Sequence, residues 1–93
     1  MVSADQIRKL LALDTLELPK RPRVLEILVQ SIVDHRGHDA VEVPVVLDDA
    51  ATDADLRWRR LQPLWEQIHE RVESIEDGPF PYVEFLRRSD LDE

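Results

Sequence analysis

The chain has 93 residues, of which 43% are hydrophobic and 34% are charged, and its net charge is −8. The apolar fraction is too high for a disordered chain, the length fits one domain, and no apolar run reaches the roughly 18 residues that span a bilayer. With no cysteine there is no disulfide or thiolate metal site. The first residues lack the pattern of a secretory signal, so we expect a soluble protein of the cytoplasm.

The first third of the chain predicts two helices. Ser3-Ala-Asp-Gln6 is a capping-box pattern, and Ile7, Leu10 and Leu11 follow it at helical spacing. Pro22 suits the first position of a second helix, which we expect to run to about Arg36 and to end at a left-handed Gly37. The apolar face of this second helix is broad enough for the centre of a bundle and contains Leu25, Leu28, Val29 and Ile32.

The segment from Val41 to Leu47 supports two interpretations. Valines alternate at Val41, Val43 and Val45 as they do in a strand, but Pro44 removes a donor from any strand ladder. An edge strand and an extended crossover both remain open.

The last half of the chain predicts a long third helix and a short fourth one. We expect the third helix to be capped by Thr52, to continue through Ile75 and to kink at Pro63. Its apolar residues alternate in spacings of four and three along one seam, which contains Ala54, Trp58, Leu61, Trp65, Ile68, Val72 and Ile75. The fourth helix is expected over Tyr82–Arg88, where it docks Phe80, Phe85 and Leu86.

These elements predict a mainly α fold, in the form of a small four-helix domain. The edge strand near Val41–Leu47 is the part of this prediction that stays open. Residues 1–88 form the single helical domain in this prediction, and residues 89–93 form an acidic frayed tail.

An acidic ridge is predicted on the third helix, nearly opposite the seam. It consists of Glu66, Glu70, Glu73 and Asp77, which follow one another at spacings of four, three and four. Like charges at i,i+4 destabilise a helix by about 0.2–0.5 kcal/mol per pair. The ridge is therefore either solvated or paired with arginines elsewhere in the fold, or it is a docking surface for a basic partner.

Two further groups could contribute to binding. Asp34, His35, His38 and Asp39 offer four potential metal ligands within six residues, although we expect these histidines to cap a helix end instead. Phe80 and Tyr82 lie between rigid prolines, which indicates either a stiff turn that pins the last helix or an aromatic knob for a partner.

Catalysis is not indicated by any motif. Ser31 and His35 lie one turn apart on a single predicted helix rather than on converging elements, and the two glycines cannot form a phosphate loop. We therefore predict no enzymatic activity, no catalytic residue, no cofactor and no bound metal. The acidic balance also argues against direct binding to nucleic acid.

The predicted function is that of a non-catalytic binding or inhibitor protein, of the immunity, antitoxin or anti-defence type. It would engage a basic surface of a larger protein through the acidic helix face, with Phe80 and Tyr82 as further contact residues. In the most extreme form of this prediction, the protein mimics nucleic acid. One alternative is a small scaffold or structural subunit that forms a homodimer or larger complex through its hydrophobic helix seam. A second is a metal-dependent activity at Asp34–Asp39.

Overall fold

A nine-residue strand organises the fold. The computed structural model describes residues 3–76 and 78–91, and its elements in chain order are α1 (Ala4–Leu10), a 3-10 turn (Leu13–Thr15), β1 (Val24–Ile27), β2 (Gln30–Val33), β3 (Asp39–Leu47), α2 (Trp58–Glu73), β4 (Phe80–Arg87) and α3 (Arg88–Leu91). β3 is the central strand of a mixed sheet. It pairs antiparallel with β1 and β2, which follow one another along one of its edges, and parallel with β4 along the other.

The predicted second helix is wrong, because its residues form β1 and β2. Five β-branched residues favour a strand here, namely Val24, Ile27, Val29, Ile32 and Val33. A short run that is apolar at most positions fits the period of a helix and of a strand equally well. Pairing with β3, as in Ile27 opposite Val45, decides between them.

Pro44 explains why this edge holds two short strands instead of one long one. The Leu28 amide donates to the Pro44 carbonyl at 2.9 Å, so this pair lies in hydrogen-bonding register. Pro44 has no amide hydrogen to donate back to Leu28, and β1 ends at Ile27. Of the two predicted alternatives, the strand is correct and the crossover is wrong, but β3 is paired on both sides and is therefore not an edge strand.

The last predicted helix is also wrong. Residues Phe80–Arg87 form β4, in unbroken parallel register with β3 from Ala40 opposite Phe80 to Leu47 opposite Arg87. Aromatic and β-branched residues at 80, 82, 83 and 85 favour the strand. The four-helix fold class and the helical bundle are therefore replaced by a mixed α/β domain.

The start of the predicted first helix is confirmed. The Gln6 amide donates to the Ser3 hydroxyl oxygen at 3.3 Å, and the Ser3 amide donates to the Gln6 side chain at 2.8 Å. Ile7 and Leu11 are buried in the core. This capping box holds the short helix at its N-terminus, where the backbone donors have no partner within the helix.

The third helix exists but begins at Trp58, six residues after the predicted cap Thr52. Thr52 and Asp55 do exchange the two hydrogen bonds of a capping pair, yet they close only a turn that precedes the helix. The predicted seam is only partly correct. Leu61, Ile68 and Val72 are buried, whereas Trp58 is 52% exposed.

Both longer helices cover the same face of the sheet. The odd-numbered residues of β3, which are Val41, Val43, Val45 and Leu47, share one core with Ile7 and Leu11 of the N-terminal segment and with Leu61, Leu64, Ile68 and Val72 of α2. Side chains alternate between the faces of a strand, so the even-numbered residues of β3 point to the other face. Among the described residues, no helix is long and apolar enough to cross a membrane.

The C-terminal residues continue directly from β4. The Ser89 amide donates to Asp49 at 2.8 Å, and the Arg87 amide donates to Asp90 at 3.0 Å. Residues 92 and 93 of the predicted tail lie outside the described residues, and the domain boundary at residue 88 stays a prediction.

We predict that Ile68→Ala lowers the free energy of unfolding by about 2–5 kcal/mol, because it empties a fully buried site between α2 and the sheet. Trp58→Ala, which removes a larger but half-exposed side chain, should lower it less. Urea denaturation of the two variants measures the difference. Equal losses would contradict the assignment of the core to the Leu61–Ile68–Val72 side of α2.

Candidate functional site

Five aromatic rings form a continuous chain of contacts that runs from α2 to the start of β4, which we call the aromatic ladder. Its neighbouring ring centroids are separated by 5.5 Å for Trp58 and Trp65, 3.8 Å for Trp65 and His69, 5.8 Å for His69 and Phe80, and 4.9 Å for Phe80 and Tyr82. The Trp65 and His69 rings stack, and the other three contacts are edge-on. Such pairs are worth about 0.5–1.5 kcal/mol beyond the area they bury, so the ladder is held in place by its own contacts.

The ladder combines residues that share one side of α2 with residues that share one side of β4. Trp58, Trp65 and His69 lie seven and four residues apart, which places them on one side of α2. Phe80 and Tyr82 are two residues apart and therefore point to the same side of β4. The parallel pairing of Phe80 with Ala40 brings the start of β4 to the end of α2 that carries His69.

The opposite flank of α2 is covered by the N-terminal segment. Arg71 donates to the Leu10 carbonyl at 2.8 Å and to the Thr15 hydroxyl at 2.7 Å, and Gln67 exchanges hydrogen bonds with the backbone of Glu17. The ladder flank has no comparable cover, because Trp58 and Phe80 are each 52% exposed and Tyr82 is 40% exposed. Large exposed aromatic groups in one continuous patch are typical of interaction surfaces.

The predicted acidic ridge lies next to the ladder. Glu66, Glu70 and Glu73 are exposed, and with Trp65, His69 and Ser74 they line an open cleft of about 520 Å³. Glu66 accepts a hydrogen bond from Gln62 at 2.9 Å, and Glu73 lies 3.7 Å from the His69 ring nitrogen. Within the described parts of the chain, none of these three carboxylates has an arginine or lysine within 4.0 Å. The fourth predicted member, Asp77, lies outside the described residues.

His69 joins the two predicted surfaces. It follows Trp65 by four residues on α2 and is 8% exposed. Its ring stacks on Trp65, contacts Phe80 and faces Glu73. The ridge of α2 and the Phe80/Tyr82 pair, which the sequence treated as separate candidates, therefore form one surface, which we call the acidic–aromatic surface.

The histidine cluster lies in a hairpin turn between β2 and β3, so the predicted helix-end role is wrong. Gly37 does adopt the predicted left-handed conformation, with a φ of 80°, but within this turn. Asp34 Oδ1 accepts from the Arg36 amide at 2.9 Å and from the His38 amide at 3.0 Å, which closes the turn. Across residues 3–76 and 78–91, no three histidine or acidic side chains are grouped so that they can hold a metal.

Two carboxylates have a lowered pKa, and both have structural partners. The hydrogen bond from the His38 amide is the main cause that lowers the pKa of Asp34, and His38 and His35 add a smaller electrostatic effect. The Thr52 amide does most to lower the pKa of Asp55, with help from the Thr52 hydroxyl and from nearby arginines. Asp55 is buried and lies 3.9 Å from Arg60. Neither carboxylate has the raised pKa of a general acid at neutral pH.

Comparisons with family models, with curated proteins and with solved structures find no match. The site is therefore interpreted from its own geometry. That geometry combines rigid, exposed aromatic rings with carboxylates that have no cationic partner within the described residues, and both features suit recognition of a cationic surface.

We predict that part of the stability of the hairpin is lost in acid. A lowered pKa means that the ionised Asp34 stabilises the fold above its ordinary pKa of about 3.9, and that this contribution disappears as the pH falls through the lower folded value. Asp34→Asn keeps an acceptor oxygen but does not titrate. The difference in unfolding free energy between the wild type and this variant, measured by urea denaturation, should therefore shrink below pH 4. A difference that stays constant with pH would contradict the role of the charge.

Proposed function

We propose that this chain is a non-catalytic binding protein that docks on a basic surface of a larger protein. The observation that carries the proposal is the acidic–aromatic surface, in which exposed rings lie beside three carboxylates that have no arginine or lysine partner within the described residues. The partner's cations would supply the missing counter-charges.

The ladder suits the centre of such an interface. Trp and Tyr are enriched among the residues that dominate binding energy, because they bury a large area and lose little conformational freedom. In the ladder Trp65 and His69 are stacked at 3.8 Å, so their rings are already fixed before a partner arrives. An ordered surface loses less entropy on binding than a flexible one.

The carboxylates suit the rim of the same interface. Glu66 and Glu70 are exposed, so their attraction for a basic partner acts through solvent and accelerates the encounter more than it adds affinity. Arginine is the cation that fits best, since its planar group binds carboxylates in pairs and also packs on aromatic rings.

An inhibitor of the immunity, antitoxin or anti-defence type would use a surface of this kind. Such proteins must capture a basic enzyme quickly, and charge steering increases association rates by roughly 10–1,000-fold. A mimic of nucleic acid is the limiting form of the proposal, with the glutamates in place of phosphates.

The alternative function, a scaffold that oligomerises through the hydrophobic seam, has less exposed apolar surface available for contact between copies. Leu61, Ile68 and Val72 of the predicted seam are buried within the chain's own core, so they are not available to a second copy. The two tryptophans of the seam, Trp58 and the partly buried Trp65, both belong to the acidic–aromatic surface.

We predict that Glu66→Lys plus Glu70→Lys slows association with the partner by at least about tenfold and leaves the fold intact. The tagged protein and this variant are each expressed in the source cells, and proteins retained only by the wild type are identified by mass spectrometry. The retained partner is then purified, and its association rate is measured at rising salt. Wild-type rates should fall with salt, because exposed charges are screened beyond about 10 Å at 0.1 M.

The matched control is Asp5→Lys plus Asp14→Lys. It makes the same change in net charge at two exposed carboxylates of the N-terminal segment, which covers the opposite flank of α2. The control should bind at nearly the wild-type rate. Equal slowing by both double variants would show a general charge effect, and unchanged binding by the ridge variant would rule out this surface.

A further inference from the structure

One edge of the sheet offers unpaired backbone groups beside the acidic–aromatic surface. Even-numbered residues of β3 direct their backbone groups to β1 and β2, since the Leu28 amide donates to the Pro44 carbonyl and the Asp48 amide, just past the strand, donates to the Arg23 carbonyl. Backbone groups alternate along a strand, so odd-numbered residues of β3 bond to β4. In the parallel register of Val43 with Val83, the β4 residues that bond to β3 are then the even-numbered ones.

The odd-numbered residues of β4 therefore point their backbone groups away from the sheet, and two independent features agree with this. Pro81 has no amide hydrogen and belongs to the outward set, so it removes no hydrogen bond from the ladder with β3. The outward amide of Arg87 is capped by the Asp90 carboxylate at 3.0 Å. Between them lie Val83 and Phe85, whose amides have no acceptor on the outer side within residues 3–76 and 78–91.

The two edges of the sheet differ in how well they are protected. The edge formed by β1 and β2 is bent by a bulge between Val24 and Glu26 and interrupted opposite Pro44. Bulges and interruptions of this kind prevent a further strand from pairing. The edge formed by β4 is regular over eight residues, from Phe80 to Arg87.

We infer that β4 is the binding edge for an extended, basic segment of the partner, which adds to the sheet as a further strand. This inference rests on the proposed function, which it deepens by stating how the partner binds. Val83 and Phe85 would exchange backbone hydrogen bonds with the added strand, with Pro81 contributing its carbonyl.

The side chains around this edge define the chemistry of the added strand. Side chains of that strand would point alternately to the two faces of the sheet. On the helix side they would meet the flank of α2 that carries Trp58 and Trp65, which favours apolar residues. On the other face they would lie beside Tyr82 and Glu84, both exposed, which favours arginine or lysine. A second copy of the chain is a poorer occupant, because both copies carry a net charge of −8.

Amide hydrogen exchange followed by NMR tests this inference. In the free protein we expect the amides of Tyr82, Glu84 and Leu86 to exchange slowly and those of Val83 and Phe85 to exchange fast. The probe is a short peptide that alternates arginine with valine. Exchange at Val83 and Phe85 should slow by about tenfold when about nine-tenths of the protein is bound, since only the free fraction exchanges.

Two control peptides separate backbone pairing from charge. The first has the same sequence but carries N-methyl groups on two adjacent central amides, which removes a donor from each of its edges; it should lose the protection at Val83 and Phe85. The second has glutamate in place of arginine and should not bind. In the protein, Glu84→Lys should weaken binding of the arginine peptide. Asp14→Lys is the matched control, because it makes the same change in charge.

Three results would overturn the inference. Slow exchange at Val83 and Phe85 in the free, dilute protein would show that the edge is closed, and protection that rises with protein concentration would show that a second copy occupies it. Equal binding of the N-methylated peptide, with chemical-shift changes confined to Glu66, Glu70 and Glu73, would show docking on α2 without strand addition. That last result leaves the proposed function intact, and the association experiment on the ridge variants tests the proposed function separately.

Discussion

β3 forms backbone hydrogen bonds along both of its edges, and the positions of the other elements depend on this pairing. Residues 40–47 pair with residues 80–87 without a break, which fixes where β4 begins and ends relative to the strand before α2. Because β3 and β4 are parallel, the chain must return along the face of the sheet between them, and α2 makes that crossing. The helix then buries Leu61, Ile68 and Val72 against the valines of β3. The ladder follows from the same constraint, since it needs the end of α2 and the start of β4 to lie together.

Local structure could be predicted from the sequence where the interaction that determines it is also local. The Ser3–Gln6 capping box spans four residues. In the later two-thirds of α2, the spacing of apolar residues matches a helix and does not match a strand. Gly37 was correctly assigned a left-handed conformation, although the element around it is a hairpin turn and not a helix end. In the capping box and in the Gly37 turn, the interacting groups are separated by a few residues at most.

The strands could not be predicted in the same way, because their partners are distant in sequence. The Val24–Val33 segment carries an apolar residue at most positions, so its helical and strand periods cannot be told apart until the Pro44 region lies beside it. The site shows the same limit. Its residues were identified separately as a ridge on α2 and an aromatic pair at Phe80 and Tyr82, but their junction at His69 depends on a parallel pairing between residues 40 positions apart.

Charge and an open strand edge are linked in this molecule. An unpaired edge invites pairing with any exposed strand, and proteins commonly protect such edges with proline or with charged side chains. β4 has both, in Pro81 and in the exposed Glu84, yet Pro81 lies near one end and leaves the Val83–Phe85 backbone available. The net charge of −8 also opposes self-pairing, because two copies of the chain repel each other. The same negative charge attracts a strand that is positively charged. In the binding mode inferred above, the charge of the chain would therefore disfavour self-pairing and favour a basic strand at the same open edge.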